Sequence, residues 1–306
     1  MRTLILATGL LLAACAEPTM QNEEPTVFKA YFLGGQSNMD GYGYITDLTA
    51  SQSAPVDTVY IFAGASAGDG ETGAGRGLWT PLTPGFGTGF TSNGVSNQLS
   101  DRFGPELSFG HTLGAQSDAP IALIKYSRGG TSLADNSGYG DWYPEGGGAD
   151  DLNQYDFALA TIRAALLDRD IDGDGRVDRL EPAGIIWMQG EADAYASPQS
   201  AAAYEANLDR MMDLLRAALH TDDLPVVIGR ISDSGMDEDG QVMTYIETVL
   251  AAQESWVEGD DCAAYVRDIE TYAHSDDAWH YLSEGYWRMG IAFADAVTQL
   301  ETECGR

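Results

Sequence analysis

The sequence predicts a three-layer α/β/α sandwich built around a parallel sheet. From residue 26 onward, short apolar runs alternate with longer amphipathic ones, which is typical of parallel strands joined by helices. Of the 306 residues, 44% are hydrophobic and 10% aromatic, enough for one large core and too many for a disordered chain. The sequence has neither an internal repeat nor coiled-coil heptads.

Each element follows from the spacing of its apolar residues. The predicted strands are Val27–Leu33, Val59–Phe62, Ile121–Tyr126, Gly184–Met188 and Val226–Ile231, with Tyr265–Ile269 as a further short strand. The predicted helices are Glu106–Leu113, Asp156–Leu167, Ser200–Leu219, Val242–Trp256 and Ser283–Leu300. Residues 64–100 and 134–153 interrupt the alternation as long loops. Because ligands gather at the carboxyl ends of parallel strands, the residues after each strand are the first candidates for a site.

The charge of the chain excludes two classes of partner. Asp and Glu number 47 against 16 Lys and Arg, which gives a formal net charge of −31. Nucleic-acid binding needs clustered Lys and Arg, and so does docking of a basic patch on anionic lipid. We therefore expect no nucleic-acid partner, and contact with a membrane only through a lipid anchor.

The N-terminus has the features of a sorting signal. Arg2 precedes an apolar run, Leu4–Leu12, that is too short to span a bilayer. Cys15 follows three residues after the end of this run. The ending Leu12-Ala13-Ala14-Cys15 resembles the lipobox of bacterial lipoproteins, which implies cleavage before Cys15 and a lipid on its sulfur. A chance cysteine after two small residues is the alternative. Ala16 favours the outer membrane over the inner one, so we expect an exported protein anchored at the bacterial outer membrane.

The lipobox sets the expected organisation of the rest of the chain. Residues 1–14 are the signal peptide, 15–25 a flexible tether, and 26–306 one folded domain. Export places Cys262 and Cys304 in a compartment that permits disulfides. A bridge would pin the last helix, and two unpaired buried thiols are the alternative, because sequence alone does not give their separation.

Two short motifs carry the residue types of nucleophilic catalysis. Ser37 follows the first strand within Gly34-Gly35-Gln36-Ser37-Asn38-Met39, where a turn presents its hydroxyl at the start of a helix. Asp277 stands three residues before His280, a spacing at which a carboxylate can orient the imidazole. His274 is the alternative base, although no Asp stands three residues before it.

Four blocks in order resemble those of the SGNH hydrolase superfamily, most closely its branch of sialate O-acetylesterase-like and acetylxylan esterase domains. The blocks are Gly35–Met39, Ser127–Ser132, Trp187–Asp193 and Asp277–His280. The resemblance implies a flavodoxin-like SGNH fold over residues 27–300. It also implies a serine esterase that removes acetyl groups from carbohydrates through an acyl-enzyme, without a cofactor for the chemistry.

The resemblance assigns roles to individual residues. Ser37 is the nucleophile, His280 the base, and Asp277 the group that holds the histidine tautomer. The expected oxyanion hole comprises the amide of Ser37, an amide of Gly129 or Gly130, and the side chain of Gln189. Three carboxylates near the blocks are interpreted as structural braces: Glu106, Glu191 and Asp193.

Candidate substrate contacts lie in the second block and the long loops. Arg128 either meets the substrate or forms a salt bridge within its loop. The loop aromatics are Trp79, Tyr139, Trp142 and Tyr143. They either stack on sugar faces or anchor the loops by ordinary packing, and we take Trp142 and Tyr143 as the substrate contacts.

A second signal is independent of the four blocks. Residues 170–181 fit the twelve-residue calcium loop of an EF-hand, with carboxylates at positions 1, 3, 5, 9 and 12 and Gly175 at position 6, where the loop turns. The predicted ligands are Asp170, Asp172, Asp174, the carbonyl of Arg176, Asp178 and Glu181. Pro182 and a strand follow where the second helix of an EF-hand would begin, so we expect a structural Ca²⁺ site rather than a sensor. A solvated acidic turn without metal is the alternative.

Two other functions remain open at the level of sequence. The same triad serves lipases, thioesterases and arylesterases, and a chain-length series of esters separates these from an acetylesterase. A non-catalytic surface lipoprotein that binds glycans is the alternative from another class. It predicts glycan binding that is unchanged by Ser37→Ala.

Overall fold

The computed structural model describes residues 24–135, 137–145 and 152–305 and contains the predicted three-layer sandwich. The strands are β1 (Val27–Gly35), β2 (Gly43–Tyr44), β3 (Val56–Ala63), β4 (Trp79–Leu82), β5 (Thr91–Ser92), β6 (Asn97–Gln98), β7 (Arg102–Phe103), β8 (Ile121–Ser127), β9 (Arg179–Met188), β10 (Val226–Gly229) and β11 (Ala263–Val266). The helices are α1 (Ser37–Asp40), α2 (Pro105–Gln116), α3 (Gln154–Leu167), α4 (Glu191–Ala196), α5 (Pro198–Ala218), α6 (Ile246–Gly259) and α7 (Ser283–Glu303).

The N-terminal predictions lie outside the described residues. Cys15, the signal peptide and the tether up to residue 23 fall there, so the lipid anchor stays a prediction. Within the described part of the chain, no helix combines the length and the apolar character needed to cross a membrane.

The central sheet has seven strands in the order β11-β10-β9-β1-β8-β3-β4. All pairs are parallel except β3 with β4. Numbered along the chain, the parallel strands read 2-3-1-4-5-6, whereas the flavodoxin order is 2-1-3-4-5. The difference is that β8 lies between β1 and β3. All seven β8 residues are buried, whereas Asp57 and Thr58 near the start of β3 are exposed, in line with the position of β8 inside β3.

Two details of the sheet differ from the prediction. β4 lies within residues 64–100, which were predicted as a loop. It is the edge strand of the sheet, a position that tolerates its Pro81. The predicted strand Tyr265–Ile269 is instead β11 followed by a 3-10 helix, Arg267–Thr271. The reason is that β10 ends at Gly229, opposite Val266, and leaves the next residues without a pairing partner.

The helices cover both faces of the sheet. α2 and α7 pack on each other, as do α3 with α5 and α5 with α6. The contact between α2 and α7 is close at Gly290, where an added Cβ would lie 2.2 Å from the carbonyl oxygen of Pro105. The structure joins Cys262, next to β11, and Cys304, at the end of α7, in a disulfide of S–S length 2.03 Å.

The topology brings three of the sequence blocks together. β8, β1 and β9 are neighbours at the centre of the sheet, and Gly35 at the end of β1 pairs with Ser127 on one side and Met188 on the other. The loops that follow these strands therefore begin side by side.

Candidate active site

A cavity of about 660 Å³ opens where β1, β8 and β9 end. Residues of all four blocks line it: Gln36, Ser37, Gly129, Gly130, Ala192, Trp279 and His280. Tyr42, Tyr139 and Tyr195 supply aromatic walls. The predicted nucleophile and base, far apart in sequence, thus face the same space.

The turn that presents Ser37 is forced by close backbone contacts. Gly35 has φ +145°, and an added Cβ would lie 2.0 Å from the carbonyl oxygen of Met188, so only glycine fits there. The amide of Gln36 donates to that same oxygen at 2.9 Å, and its carbonyl accepts the first bonds of α1. A Cβ on Gly129 would lie 3.3 Å from the Cβ of Ser37, so the second block touches the nucleophile directly.

Asp277 and His280 form a tight hydrogen-bonded pair. Oδ2 of Asp277 lies 2.7 Å from Nδ1 of His280, while Oδ1 accepts from the amides of Trp279 and His280, both at 2.9 Å. Ala278 adopts φ +67°, which bends the chain so that one carboxylate reaches all three donors. Burial raises the pKa of Asp277, but the bonds from His280 and from the two amides outweigh it and lower the pKa to about 2.

The orientation of His280 leaves one nitrogen for chemistry. Because Nδ1 faces an ionised carboxylate, the neutral imidazole carries its proton there, and Nε2 is the basic nitrogen. The ring of Tyr42 stacks on the imidazole with centroids 3.6 Å apart and planes 6° apart. His274 does not compete for this role, since its Nε2 lies 3.2 Å from the carbonyl of Ser232 and burial lowers its pKa.

A buried lysine supports the nucleophile turn from below. Nζ of Lys125, on β8, donates to the carbonyls of Asp40 and Phe86 and to Oε2 of Glu106, each at 2.8 Å. Glu106 also accepts from the amide of Gly104 at 2.9 Å. Sequence reasoning identified Glu106 as a brace but missed Lys125. The sequence did offer a sign of its role, because Lys125 stands within an otherwise apolar strand and the chain has only one other lysine.

The backbone amides near Ser37 divide into two groups. Burial raises the pKa of Asp40, while Lys125, the Ser127 hydroxyl and the amide of Gly129 act to lower it. The Gly129 amide thus favours the ionised form of Asp40. The amides of Ser37 and Gly130 make no hydrogen bond within the described residues. Both residues line the cavity, so their amides are candidate oxyanion donors.

The position of Gln189 corrects the expected oxyanion hole. Gln189 is fully buried, and its Nε2 donates to Oδ2 of Asp193 at 2.7 Å and to the carbonyl of Thr131 at 3.1 Å. Turning the amide over would place its oxygen against two acceptors, so this orientation is fixed. The side chain of Gln189 organises the loops and does not donate into the cavity.

Two buried carboxylates connect the loops. Glu191 accepts from Nδ2 of Asn38 at 2.6 Å, and burial raises its pKa. Asp193 accepts from the amides of Leu133 and Ala134, as well as from Gln189 and Ser200. Burial raises the pKa of Asp193 to about 6 against the effect of these donors. Both residues thus hold the third block to its neighbours, in line with their interpretation as braces.

The predicted substrate contacts are not at the cavity. Trp142 is fully buried, with its ring 5.0 Å from Trp187 and its indole N–H donating to Thr131, so it belongs to the core. Neither Tyr143 nor Arg128 lines the cavity. Trp79 donates its indole N–H to the carbonyls of Ala165 and Asp168, away from the site.

The aromatic walls come from residues that the loop composition did not single out. Tyr139 is the one loop aromatic of the prediction that lines the cavity. Trp279 and Tyr195 meet edge to face at 5.3 Å, and Tyr42 covers His280. The signal for Trp279 and Tyr195 was their position, beside His280 and just after the third block.

The acidic loop forms a smaller cluster than the predicted one. Carboxylate oxygens of Asp170, Asp172 and Asp174 lie within 4.8 Å of one another. Asp178 instead accepts from the amide of Ile171 at 2.8 Å, and Glu181 lies on β9 with its carboxylate 3.7 Å from Arg179. The three oxygen ligands suit Ca²⁺, but Asp178 and Glu181 do not complete the EF-hand set in this geometry.

Comparisons with known proteins cover almost the whole folded chain. The family model described as carbohydrate esterase, sialic acid-specific acetylesterase matches residues 27–299. A protein from Arabidopsis thaliana is similar in structure, with TM-score 0.61 and 18% identity over 90% of this chain and 99% of that one. No curated protein sequence matches the chain.

Two further solved structures are similar. NanS has TM-score 0.60 and 17% identity over 92% of this chain and 99% of its own. A carbohydrate acetylesterase from Xanthomonas citri has TM-score 0.60 and 16% identity over 91% of this chain and 57% of its own. At these identities the likeness shows a shared fold.

Proposed function

The chain belongs to the carbohydrate esterase family of sialic acid-specific acetylesterases and is a carboxylic ester hydrolase, and we propose that it removes O-acetyl groups from carbohydrates by a Ser-His-Asp mechanism. One observation carries the mechanism. Ser37 and His280 line one cavity, and Asp277 holds Nδ1 of His280 at 2.7 Å, so Nε2 is the basic nitrogen.

The proposed reaction is acyl transfer in two steps. Oγ of Ser37 attacks the acetyl carbonyl carbon while Nε2 of His280 takes the hydroxyl proton. The negative oxygen of the tetrahedral intermediate meets the free amides of Ser37 and Gly130. The bond to the sugar oxygen breaks, and His280 protonates that oxygen. Water then attacks the acetyl-enzyme with His280 as base, which releases acetate and restores Ser37.

The proposed oxyanion hole should contribute strongly to the reaction rate. One donor of this kind is worth about 100- to 1,000-fold in rate. Both proposed donors are backbone amides, which side-chain substitution does not remove. Gln189 holds the loop that carries Gly130, because its amide binds the carbonyl of the neighbouring Thr131. Gln189 is therefore a positioning residue: it affects the reaction by holding the amide of Gly130 in place.

Acetate release is the direct test. The described domain, beginning at Glu24, is assayed on p-nitrophenyl acetate and on acetylated xylan, as wild type and as Ser37→Ala and His280→Ala. His274→Ala is the matched control, since His274 also lies near the C-terminus and does not line the cavity. We expect both substrates to be deacetylated, and both triad variants, but not the control, to lose the activity.

Other results would change the proposal in defined ways. Activity on the small ester alone keeps the mechanism and excludes an acetylated-xylan substrate. If p-nitrophenyl esters of long acyl chains are hydrolysed as fast as p-nitrophenyl acetate, a lipase or thioesterase is favoured. Full activity in His280→Ala would refute the triad.

A further inference from the structure

A second cavity of about 600 Å³ adjoins the one that contains Ser37. Tyr42 lines both cavities, and Asp277 borders the second one from behind His280. Tyr44 and Trp287 are further aromatic side chains of its wall. The two cavities therefore share the side chain of Tyr42. We call the second one the Tyr44 groove.

A row of flat groups leads from the catalytic histidine into the Tyr44 groove. Tyr42 stacks on His280 at 3.6 Å between ring centroids. The guanidinium carbon of Arg102 lies 6.0 Å from the centroid of Tyr42 and 3.4 Å from that of Tyr44. Nη1 of Arg102 donates to the carbonyl of Tyr42 at 2.6 Å, which fixes the row in place.

The wall of the Tyr44 groove combines these flat groups with hydrogen-bond acceptors. Asp47, Glu284 and Gln52 line it together with Ser283. Ser283 bridges Asp47 to the amide of Tyr44 through bonds of 2.6 and 2.9 Å. A pyranose offers an apolar C–H face and a rim of hydroxyl donors, and this wall offers the complement of both.

We propose that the Tyr44 groove binds the sugar residues next to the acetylated one, so that the substrate is an oligomeric or polymeric glycan. This inference rests on the proposed function, because it places the acetylated residue at Ser37. Each cavity falls within the usual 300–1,000 Å³ range of small-molecule sites, and the shared Tyr42 makes the path between them short.

The test uses substrates of increasing length. Wild-type kcat/KM is measured on acetylated xylose and on acetylated xylo-oligosaccharides of two, three and four residues, each divided by kcat/KM on p-nitrophenyl acetate. We expect the ratio to rise with length. Tyr44→Ala removes the stacking surface and should lower the ratio for the tetramer by about fivefold. Tyr44→Phe keeps the ring and is the matched control, with the wild-type ratio expected.

A binding experiment separates the groove from the reaction. Unacetylated xylotetraose is tested as an inhibitor of p-nitrophenyl acetate hydrolysis in the same three proteins. We expect inhibition of the wild type and of Tyr44→Phe, and weaker inhibition of Tyr44→Ala. A ratio that is independent of length, or inhibition unaltered in Tyr44→Ala, overturns the inference and leaves the proposed function intact. Turnover of p-nitrophenyl acetate with no release of acetate from any sugar overturns both.

Discussion

At the scale of single residues, Asp277 fixes both the tautomer and the position of the base. Its carboxylate binds Nδ1 of His280 and the two amides of the same turn. An amide side chain in its place would offer only one acceptor oxygen and would turn an N–H group toward a donor. Tyr42 adds a flat support on the face of the imidazole.

We expect Asp277→Asn to lower kcat on p-nitrophenyl acetate by about 10³- to 10⁴-fold, because the wrong tautomer of His280 is then favoured. Asp276→Asn is the matched control: Asp276 is the exposed neighbour and lines neither cavity. Steady-state kinetics on the three proteins checks this. A loss of less than tenfold in Asp277→Asn would contradict the assigned role.

The same residue gives a pH prediction. The pKa of Asp277 is about 2 in the folded chain and about 3.9 in an unfolded one, so the folded state favours the ionised form. Its contribution to stability is complete above about pH 5 and is lost as the pH falls toward 2. Thermal melting from pH 7 to pH 2 should therefore show a difference in Tm between wild type and Asp277→Asn that shrinks over this acid range.

At the scale of elements, β8 carries a charge into the core to hold the nucleophile turn. Lys125 and Glu106 are both buried, and their pair is supplemented by carbonyls and an amide. Breaking one member leaves the other charge buried without its partner. Removing both removes the charge that would otherwise be left without its partner, and Asp40 then remains as the buried carboxyl of this cluster.

We expect Lys125→Met to lower the free energy of unfolding by about 3–5 kcal/mol, and the double variant Lys125→Met/Glu106→Gln to regain part of it. Arg179→Met is the matched control, because Arg179 pairs with Glu181 at the surface, where a pair is worth about 0–1 kcal/mol. Urea unfolding measures all four proteins. Equal losses for Arg179→Met and Lys125→Met would refute the brace.

The acidic loop between α3 and β9 stays a predicted calcium site. If Asp170, Asp172 and Asp174 bind the ion, chelator lowers Tm and Asp172→Ala removes that response. Asp213→Ala, an exposed carboxylate on α5, should keep it. Calorimetric titration with CaCl₂ gives the binding directly. An unmoved Tm together with no heat of binding would identify a solvated acidic turn.

Local patterns predicted the parts of the site that depend on neighbours in sequence. Asp277 and His280 share one turn, and Ser37 stands just after a strand, so each motif was visible in the sequence. The resemblance of the four blocks grouped the three residues into a predicted triad. Gln189 was misassigned because the packing of α4 places the carboxylate of Asp193 within hydrogen-bond distance of its side-chain amide, and the sequence does not show this packing. Trp142 lies in a glycine-rich loop yet packs on Trp187, a contact between residues 45 positions apart that composition does not reveal.

At the scale of the whole molecule, the excess of acidic groups sets the response to salt. The net charge is −31, and the repulsion between surface carboxylates falls as ions screen them. The layers and the parallel sheet followed from the sequence because they depend on apolar periodicity. The strand order, with β8 between β1 and β3, did not follow from periodicity, because both apolar runs have the pattern of a buried strand.

We expect Tm to rise by a few degrees between 0.05 M and 1 M NaCl, measured with saturating CaCl₂ so that ion binding in the acidic loop is constant. The Debye length falls from roughly 14 Å to about 3 Å over this range. Sucrose at matched osmolality is the control for effects that do not involve charge. A fall in Tm with NaCl would mean that ion pairs outweigh the repulsion.

The hydrogen bonds of Asn38 have a consequence for the order in which the chain becomes competent. Asn38, next to the nucleophile, donates to the carbonyl of Trp279 and accepts from the hydroxyl of Tyr286 on α7. In the proposed mechanism, a growing chain therefore makes Ser37 well before it makes His280 and the groups that clamp the Ser37 turn. A fragment that stops before residue 277 lacks the proposed base, and we expect it to release no acetate.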